Sequence, residues 1–422
     1  MTVTRPSPPP ATLVSRTRPL GPPGDLLQVL GPGGMVWLHE GGGVATSGVA
    51  ARIAVARGPG RFSRAAEEVT AVLAAVEDDD PLRMPGTGPL AMGAVPFSDE
   101  VEGELVVPAV VVGCTPQGRA WVTITGGPGV DGLPAEHPGP APDGPLRLTL
   151  DDGGGRDEWT AAVRRVLDRI AAGALAKVVL AREVLVEADR PFDRRLVLDR
   201  LRTADPSTFT YAVGNFVGSS PELLLRRRGN TVMSRPMAGS ALRGATQADD
   251  DGLVAALASS AKEAEEHSLV VGAVRAALEP MCREMVVGAA PDAVRLATVT
   301  HLATTVGGRL SEPAPSALAL AGLLHPTPAV AGLPRAEALA AIAEVELFDR
   351  GLYAGPVGWV DARGDGDWAV ALRCGRLDGR RARLTAGAGI VADSDPDAEW
   401  LETQAKLEPM LRALRASGNC GA

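Results

Sequence analysis

Two acidic pairs in the 422-residue chain each place two glutamates three positions apart in a segment with helical character. Glu263 and Glu266 form the first pair, and Glu399 and Glu402 form the second. Residues with this spacing share one face of a helix, so each pair brings like charges together. A divalent cation between the helices would relieve the repulsion, and all-oxygen ligation suits Mg²⁺. A solvated acidic face is the alternative, and spacing alone favours it, because charge runs usually face solvent.

Three other charged residues lie within or beside apolar runs. Lys177 opens a strand-like run and is either a gatekeeper at a strand end or a buried, neutral general base. Glu222 follows Ser220-Pro221 and is either a turn carboxylate or a general acid. Arg373 is predicted to lie mid-strand among apolar residues, where it needs an anionic partner, either a neighbouring carboxylate or a bound one.

Two glycine-rich segments, Ala238-Gly239-Ser240 and Ala386-Gly387-Ala388-Gly389, permit a close approach of the backbone to a ligand. Neither contains the pattern of a phosphate-binding loop. Each segment is therefore a weak signal when it is taken alone.

The elements that must position these residues are mostly strands. Periodicity and turn residues predict strands at 106–112, 120–124, 177–186 and 208–216, a hairpin at 223–233 and a three-stranded meander at 357–391. Helices are predicted around 159–170, at 251–281 and 335–348, and after Asp395-Pro396, with Asp395 as a cap. Because strands outnumber β-α-β units, we expect an α+β fold with antiparallel sheets and flanking helices.

Composition divides the chain into four segments. Residues 1–20 are predicted to be a disordered Pro-rich leader, and residues 21–125 an N-terminal β-rich part of the fold. Residues 126–155 are predicted to be a Gly/Pro-rich linker or loop, because proline at that density breaks both helices and sheet ladders. Residues 156–418 carry the candidate chemistry.

Composition and charge also exclude several classes of protein. Hydrophobic residues make up 45% and charged residues 22% of the chain, which excludes global disorder. The net charge of −9 and the lack of a basic block argue against a nucleic-acid partner. The chain has no apolar run of about 18 residues, so no membrane span is expected. The four cysteines form no CxxC pair, so a zinc ribbon or a disulfide framework is not indicated. We expect a soluble cytoplasmic protein.

Taken together and in order, the motifs resemble those of the chorismate-utilising enzymes, which include isochorismate, salicylate, anthranilate and aminodeoxychorismate synthases. The motifs that carry the resemblance are 177–182, 220–222, 238–240, 262–267, 301–304, 352–355, 386–390 and 399–406. The resemblance is strong over residues 155–415 and weak before them. It implies a large single chorismate-binding domain of antiparallel β-sheets packed face to face with helices on the outside, with the catalytic region at 156–418.

Within that group, the stretch Leu324-His325-Pro326-Thr327-Pro328-Ala329 is typical of isochorismate synthases. Members that add ammonia usually carry a Phe-Pro segment there, and a Thr where this chain has Ser240. Met237 stands where leucine is common, which is a near-isosteric change. The implied reaction adds water at ring carbon 2 of chorismate while the carbon 4 hydroxyl leaves.

Other activities stay open at this point. Salicylate synthase, which goes on to eliminate pyruvate, is the first alternative, and anthranilate and aminodeoxychorismate synthases follow it. Outside the enzymes, the alternative is a catalytically silent binding module of the same fold. The pathway served is open among menaquinone, siderophore and salicylate formation.

The resemblance also assigns roles to single residues. Lys177 is implied as the base and Glu222 as the acid; each needs the protonation state opposite to its ordinary one, so the site must be desolvated. Mg²⁺ is implied as the cofactor on Glu266 and Glu399, with Glu263 and Glu402 ligating directly or through water. The implied substrate-binding residues are Ala238, Gly239, Ser240, His301, Tyr353, Arg373, Gly387, Gly389 and Lys406. The resemblance implies a monomer with chorismate as its small-molecule partner and no glutamine amidotransferase subunit.

Overall fold

The computed structural model describes residues 13–21, 24–31, 33–127, 146–152 and 155–415. The strands are β1 Val14–Leu20, β2 Met35–His39, β3 Gly42–Ser47, β4 Ala51–Val55, β5 Glu77–Asp79, β6 Leu90–Ala94, β7 Gly103–Val107, β8 Val110–Cys114, β9 Ala120–Gly126, β10 Leu148–Asp151, β11 Lys177–Ala188, β12 Phe209–Val213, β13 Phe216–Ser220, β14 Leu223–Arg228, β15 Thr231–Arg235, β16 Met237–Leu242, β17 Cys282–Val287, β18 Asp292–Arg295, β19 Val299–Ala303, β20 Val306–Leu310, β21 Gly332–Leu333, β22 Pro356–Asp361, β23 Gly366–Val370, β24 Cys374–Asp378 and β25 Arg381–Ile390. The helices are α1 Arg61–Ala74, α2 Gly155–Ala171, α3 Arg194–Ala204, α4 Gln247–Ser259, α5 Ala261–Leu278, α6 Ala317–Leu324, α7 Arg335–Val345 and α8 Pro396–Arg415, with short 3-10 turns at Leu26–Gln28 and Glu279–Met281.

The strands form three sheets that are antiparallel except where β1 runs parallel to β5. The largest sheet has the order β10-β11-β25-β24-β13-β12-β2-β3-β8-β9-β1-β5, with β21 also paired to β11. A second sheet has the order β17-β20-β15-β14-β23-β22-β6-β7-β4, and a small one the order β16-β19-β18. Early strands therefore share both large sheets with the strands that carry the motifs.

The two large sheets pack face to face through one apolar core. That core joins Trp37 and Tyr211 of the largest sheet to Trp359 and Trp368 of the second sheet. A separate apolar cluster, which includes Leu198, Leu384 and Leu411, packs α3 and α8 against the outer face of the largest sheet. The predicted α+β architecture of facing antiparallel sheets with helices outside is confirmed.

Local sequence signals explain where the helices of the site begin. The Asp395 carboxylate accepts hydrogen bonds from the backbone of Asp397 and Ala398, which confirms it as the cap of α8. The long helix predicted over 251–281 is instead two helices. Ser260 is extended and caps α5 by accepting from the backbone of Glu263, so the chain turns between α4 and α5.

Long-range pairing corrects several predicted boundaries. Residues 14–20 were expected in the leader, but they form β1, which pairs with β9 along its whole length. The leader's residues 1–12 lie outside the described residues, as do 128–145 of the predicted linker. At the end of that linker, Leu148–Asp151 forms β10 and pairs with β11. The strand structure of these segments depends on hydrogen bonds to distant strands, which composition does not predict.

Other predicted strands divide in two. The run 106–112 crosses from β7 to β8, and 208–216 covers β12 and the turn that leads to β13. The predicted meander over 357–391 is two hairpins in different sheets: β22 and β23 belong to the second sheet, β24 and β25 to the largest. Arg373 lies in the connection between those hairpins, with φ of 49°, and not in mid-strand.

Among the described residues, no helix combines the length and apolarity that a membrane crossing needs.

Candidate active site

One cavity, lined by β11 and β25 of the largest sheet, β16 and β19 of the small sheet, α5 and α8, gathers all the predicted catalytic and substrate-binding residues. Those lining residues are Lys177, Glu222, Ala238, Gly239, Ser240, His301, Tyr353, Arg373, Gly387, Gly389 and Lys406. Glu266 and Glu402 also line the cavity, whereas Glu263 and Glu399 do not. A roomier cavity of about 610 Å³ lies between α1 and α7, but it holds none of these side chains. The chemistry therefore points to the smaller cavity.

Both lysines of this cavity are paired with glutamates. The Lys177 Nζ donates to Glu266 Oε1 at 2.6 Å. The Lys406 Nζ donates to Glu402 Oε1 at 2.5 Å and to the Gly387 carbonyl at 3.0 Å. These contacts leave a space of only about 60 Å³. A ligand larger than a few waters must take over some of these pairs as it enters.

Two glycines of β25 make room for their neighbours at the cavity, Gly389 for the Lys177–Glu266 pair and Gly387 for the Tyr353 hydroxyl. A Cβ atom at Gly389 would lie 3.1 Å from Lys177 Cε and 3.3 Å from Glu266 Oε1. At Gly387 it would lie 2.7 Å from the Leu180 carbonyl and 3.0 Å from the Tyr353 hydroxyl. The glycine-rich strand predicted to approach a ligand thus lies tightly against the buried amine and the phenol.

Glu222 is a buried carboxyl, 3% exposed, at the entrance to β14. Burial raises the pKa of Glu222 to about 7, although the backbone of Met237 and the charge of Lys177 hold the rise in check. A large fraction of Glu222 is therefore protonated at neutral pH. Such a carboxyl can donate a proton, as the role of general acid requires.

His301 is a neutral acceptor for Arg373. Burial and the charge of Arg373 lower the pKa of His301 to about 3. Because a guanidinium only donates, the 2.9 Å contact between Arg373 Nη2 and His301 Nε2 makes Nε2 the acceptor. Nδ1 therefore carries the proton and donates to the Gly239 carbonyl at 3.3 Å. The tautomer of His301 follows from its two neighbours.

Arg373 is 8% exposed and forms no ion pair within 4.0 Å among the residues the structure describes. The sequence predicted that this arginine needs an anionic partner. Its nearest polar partner, His301, is uncharged, so the guanidinium charge is free to meet a bound anion. Burial raises the pKa of Tyr353, which keeps its hydroxyl a donor in the same cavity.

Comparisons with known proteins agree with this geometry. The family model described as chorismate binding enzyme matches residues 136–415. This decides the family. The chain belongs to the chorismate-binding enzymes.

Relatives cover most of the chain. MenF of Mycobacterium tuberculosis is 44% identical over 344 residues, which are 78% of this chain and 87% of that protein. Isochorismate synthase DhbC of Bacillus subtilis is 34% identical over 337 residues, 77% of this chain and 81% of that protein. The crystal structure of DhbC from Bacillus anthracis has a TM-score of 0.79 at 32% identity, and covers 92% of this chain and 98% of that one.

Ser240 connects the two acidic helices of this family member. Gly239 adopts φ of 78° at an irregularity in the β16–β19 pairing, a conformation that suits glycine. The turn lets the Ser240 backbone donate to Glu263 Oε2 at 3.3 Å, and the Ser240 hydroxyl donate to Glu402 Oε2 at 2.8 Å. One serine thus contacts a glutamate from α5 and a glutamate from α8.

The four glutamates repel one another in a partly desolvated place. Burial and the charge of Glu266 raise the pKa of Glu263. Burial and the charge of Glu402 raise the pKa of Glu399 to about 7. Burial also opposes the charge of Glu402, but Lys406 and Ser240 outweigh it and lower the pKa of Glu402 to about 2. Glu402 is therefore ionised, and hydrogen bonds occupy both of its oxygens.

This donor set fits Mg²⁺ by its chemistry, because it offers only carboxylate oxygens whose mutual repulsion a cation would relieve. It is not a preformed cage. Within the described ranges, no three His, Cys, Asp or Glu side chains are grouped closely enough to hold a metal as they stand. Glu266 is occupied by Lys177, and Glu402 by Lys406 and Ser240. Metal ligation by the four glutamates stays a prediction.

Several residues that build the site were not predicted from the sequence. The apolar lining residues Val179, Pro221, Met237, Ala329, Val330 and Leu372 were not predicted as site residues. His267, beside Glu266, belongs to the motif 262–267 but was not predicted as a site residue. Its Nδ1 donates to the Ala238 carbonyl at 3.2 Å, and its Nε2 accepts from the Thr304 hydroxyl at 2.7 Å. His267 thereby fixes α5 to β16 and to the end of β19, and only its place in the motif could have indicated this.

Proposed function

We propose that this chain is an isochorismate synthase, which converts chorismate to isochorismate. The observation that carries the proposal is a single cavity holding a buried amine, Lys177, and a buried carboxyl, Glu222, with Arg373 available to an anion. Isochorismate synthase DhbC of Bacillus subtilis, at 34% identity, supports the same activity. The reaction is an isomerisation, since one water is added and one is released.

The amine and the carboxyl divide the proton transfers. The Lys177 amine takes a proton from the water that attacks ring carbon 2. The ring double bonds shift as that bond forms, and the bond from carbon 4 to its hydroxyl breaks. Glu222, protonated at neutral pH because of its burial, gives its proton to the departing oxygen. Both proton transfers take place in a cavity from which most water is excluded.

Positive side chains hold the substrate, which is a dianion. Arg373, Lys406 and the Tyr353 hydroxyl would receive the enolpyruvyl carboxylate, because all three line the cavity and donate hydrogen bonds. His301 and the backbone of Ala238 to Ser240 would border the ring. The net charge of the chain is −9, so this local positive charge is needed to draw an anion into the site.

Glu266 and Glu399 would hold Mg²⁺, with Glu263 and Glu402 ligating directly or through water. When bound, the ion would neutralise these carboxylates and bind the ring carboxylate of the substrate. Glu266 would then exchange Lys177 for the metal, which frees the amine to face the water. Lys406 would likewise exchange part of its contact with Glu402 for the substrate. The Lys177–Glu266 pair would thus supply a carboxylate for the metal, and the Lys406–Glu402 pair an amine for the substrate.

Chorismate consumption with Mg²⁺ and with EDTA tests the proposal, together with identification of the product. We expect isochorismate with Mg²⁺ and at least about 10²-fold less turnover in EDTA, since the glutamates would repel an anionic ring carboxylate. Salicylate with free pyruvate would mean salicylate synthase activity instead. No consumption of chorismate under either condition would reject the isochorismate synthase activity.

We further infer that the protein works as a cytoplasmic monomer with no amidotransferase subunit. Cys114, Cys282 and Cys374 are free thiols, as is usual in a reducing compartment. The proposed reaction uses water and not ammonia, so it needs no ammonia-producing partner. Size-exclusion chromatography with light scattering should give the mass of one chain, 43.4 kDa. A stable dimer would contradict this part of the proposal.

A further inference from the structure

Arg182 is a buried charge that lies outside the catalytic cavity. It is on β11, and only 7% of it is exposed. Its guanidinium carbon lies 3.8 Å from the centre of the Trp400 ring, and its Nε donates to the Thr403 hydroxyl at 2.8 Å. Within the part of the chain that the structure describes, both of its terminal nitrogens are buried without a hydrogen-bond partner. Among the described residues this guanidinium forms no ion pair within 4.0 Å, although the charge of Asp152 acts on it from farther away.

Stability alone gives little reason for this arrangement. Burial lowers the pKa of Arg182 to about 10, so the side chain stays charged at neutral pH. A buried charge without a carboxylate partner and with unpaired donors is unfavourable for folding. An apolar side chain of similar length is often neutral or stabilising at such a position. What the arginine adds is direction, since a stacked guanidinium holds an aromatic ring in a defined orientation.

The residues that Arg182 holds belong to α8. Trp400 and Thr403 are three apart, so they form one stripe of the helix. Glu399 and Glu402 form the neighbouring stripe, displaced by one residue or about 100° around the helix axis. Fixing the first stripe therefore fixes the direction of the second. The Thr403 hydroxyl also donates to the Trp400 carbonyl at 2.7 Å, which ties the two contacts together.

A small rotation of α8 would matter at the site. A side-chain end lies about 5 Å from the helix axis, so a rotation of about 20° moves it by nearly 2 Å. Ligating and catalytic groups must be held to within about 0.5 Å. Because Arg182 is on the same strand as Lys177, it connects the strand of the base directly to the helix of the glutamates.

We propose that Arg182 is a positioning residue, which sets the rotation of α8 on β11 through Trp400 and Thr403 and thereby aims Glu399 and Glu402 at the site. The proposal rests on the proposed function, since those glutamates matter only if they bind Mg²⁺ near chorismate. It assigns Arg182 no contact with the substrate or with the metal.

The test compares Arg182→Met with Arg227→Met. Methionine retains the apolar stem against Trp400 but removes the charge and the donors. Arg227 is a matched control, because it is also buried, at 8% exposure, but lies on β14 and donates to the backbone of Gly229 and Arg363 away from the cavity. For each variant we would measure the Tm, the Mg²⁺ affinity by calorimetry without substrate, and hydrogen exchange of α8.

We expect Arg182→Met to weaken Mg²⁺ binding by about 10- to 100-fold, as loss of a residue that orients metal ligands usually does. Hydrogen exchange should accelerate over 396–406. Arg227→Met should alter Mg²⁺ affinity by less than about 2-fold, even if its Tm falls as much as the Tm of Arg182→Met. Arg182→Lys, which retains the charge over the ring, should recover part of the affinity, and Thr403→Val should lose part of it.

Two results would overturn the proposal. One is wild-type Mg²⁺ affinity in Arg182→Met, and the other is an equal loss in Arg227→Met at equal Tm, which would indicate general destabilisation. Failure of the proposed function looks different. In that case the wild-type protein would neither bind Mg²⁺ nor consume chorismate, while hydrogen exchange would still show whether Arg182 holds α8.

Discussion

At the scale of single residues, the cavity shifts the pKa values of two buried carboxyl groups in opposite directions. Glu222 has no cationic hydrogen-bond partner among the described residues, and burial raises its pKa to about 7. Glu402 is also buried, yet Lys406 and Ser240 lower its pKa to about 2. One carboxyl is suited to donating a proton and the other to remaining an anion. Environments that separate two similar groups in this way are typical of acid and base assignments.

Replacing Glu222 by Gln should abolish the acid role, and Lys177→Ala should abolish the base role. Each change should lower turnover by about 10²–10⁴-fold while substrate binding is retained. In the wild type, the part of kcat/KM that depends on Glu222 should fall as pH rises through about 7, because the acid form is consumed. Steady-state rates from pH 5.5 to 9 would check this. A rate that rises through that range would assign Glu222 the opposite role.

The two glycines of β25 should respond differently to alanine. At Gly389 the added methyl group meets the ends of Lys177 and Glu266, so Gly389→Ala should lower kcat/KM by about 10-fold or more with little change in Tm. At Gly387 it meets the Leu180 carbonyl at 2.7 Å, so Gly387→Ala should cost about 1–3 kcal/mol of unfolding free energy. Rate measurements and thermal melts of both variants separate the two effects. Equal behaviour would show that the close contacts do not matter.

At the scale of elements, the site depends on how α5, β16 and α8 meet. Ser240 is the contact between them, because its backbone faces Glu263 and its hydroxyl faces Glu402. The left-handed turn at Gly239 creates that geometry. His267 supports it from α5 by hydrogen bonding to the Ala238 carbonyl.

Ser240→Ala removes one of the two hydrogen bonds to Glu402 and leaves the backbone contact to Glu263. We expect about a 10-fold weaker Mg²⁺ affinity and a smaller change in the KM for chorismate, since the hydroxyl acts through the glutamates. Calorimetry with Mg²⁺ checks the first quantity and steady-state kinetics the second. Thr298→Ala is a suitable control, because that hydroxyl donates to α8 at Ala405 without contacting a glutamate. An effect of equal size there would argue for general loosening of α8.

At the scale of the whole molecule, buried carboxyls link stability to pH. Glu222 and Glu399 have folded pKa values of about 7, above the ordinary value of 4.5. The folded state thus favours their protonated forms. Their stabilising contribution is complete below about pH 4.5 and is lost as pH rises to about 7. Glu402 behaves in the opposite way, and its contribution is lost as pH falls from about 4.5 towards 2.

Metal-free protein should therefore lose stability between pH 5 and 8, and Glu222→Gln should lose less. At pH 8 the variant avoids a buried carboxylate, which is worth about 3 kcal/mol for a rise in pKa of this size. Denaturant unfolding in EDTA at pH 5, 6.5 and 8 would show a growing advantage of the variant. A constant difference across this range would mean that Glu222 titrates normally in the folded protein.

The sequence by itself determined the features that depend on near neighbours. Helical periodicity located α2, the Asp395 cap located the start of α8, and the turn Gly229-Asn230 closed the β14–β15 hairpin. The ordered motifs supplied all the predicted catalytic and substrate-binding residues that line the cavity. These signals lie within a few residues of the feature that they predict, so one segment is enough to read them.

Only the tertiary structure decided how these pieces combine. Lys177 and Glu266 are 89 positions apart, and no local pattern records that they are in contact. The hairpins β22–β23 and β24–β25 are consecutive in sequence, yet hydrogen bonding places them in different sheets, with Arg373 at the crossing. Strand register and the burial that shifts the pKa of Glu222 both depend on distant chain segments, because they come from hydrogen bonds and packing between elements.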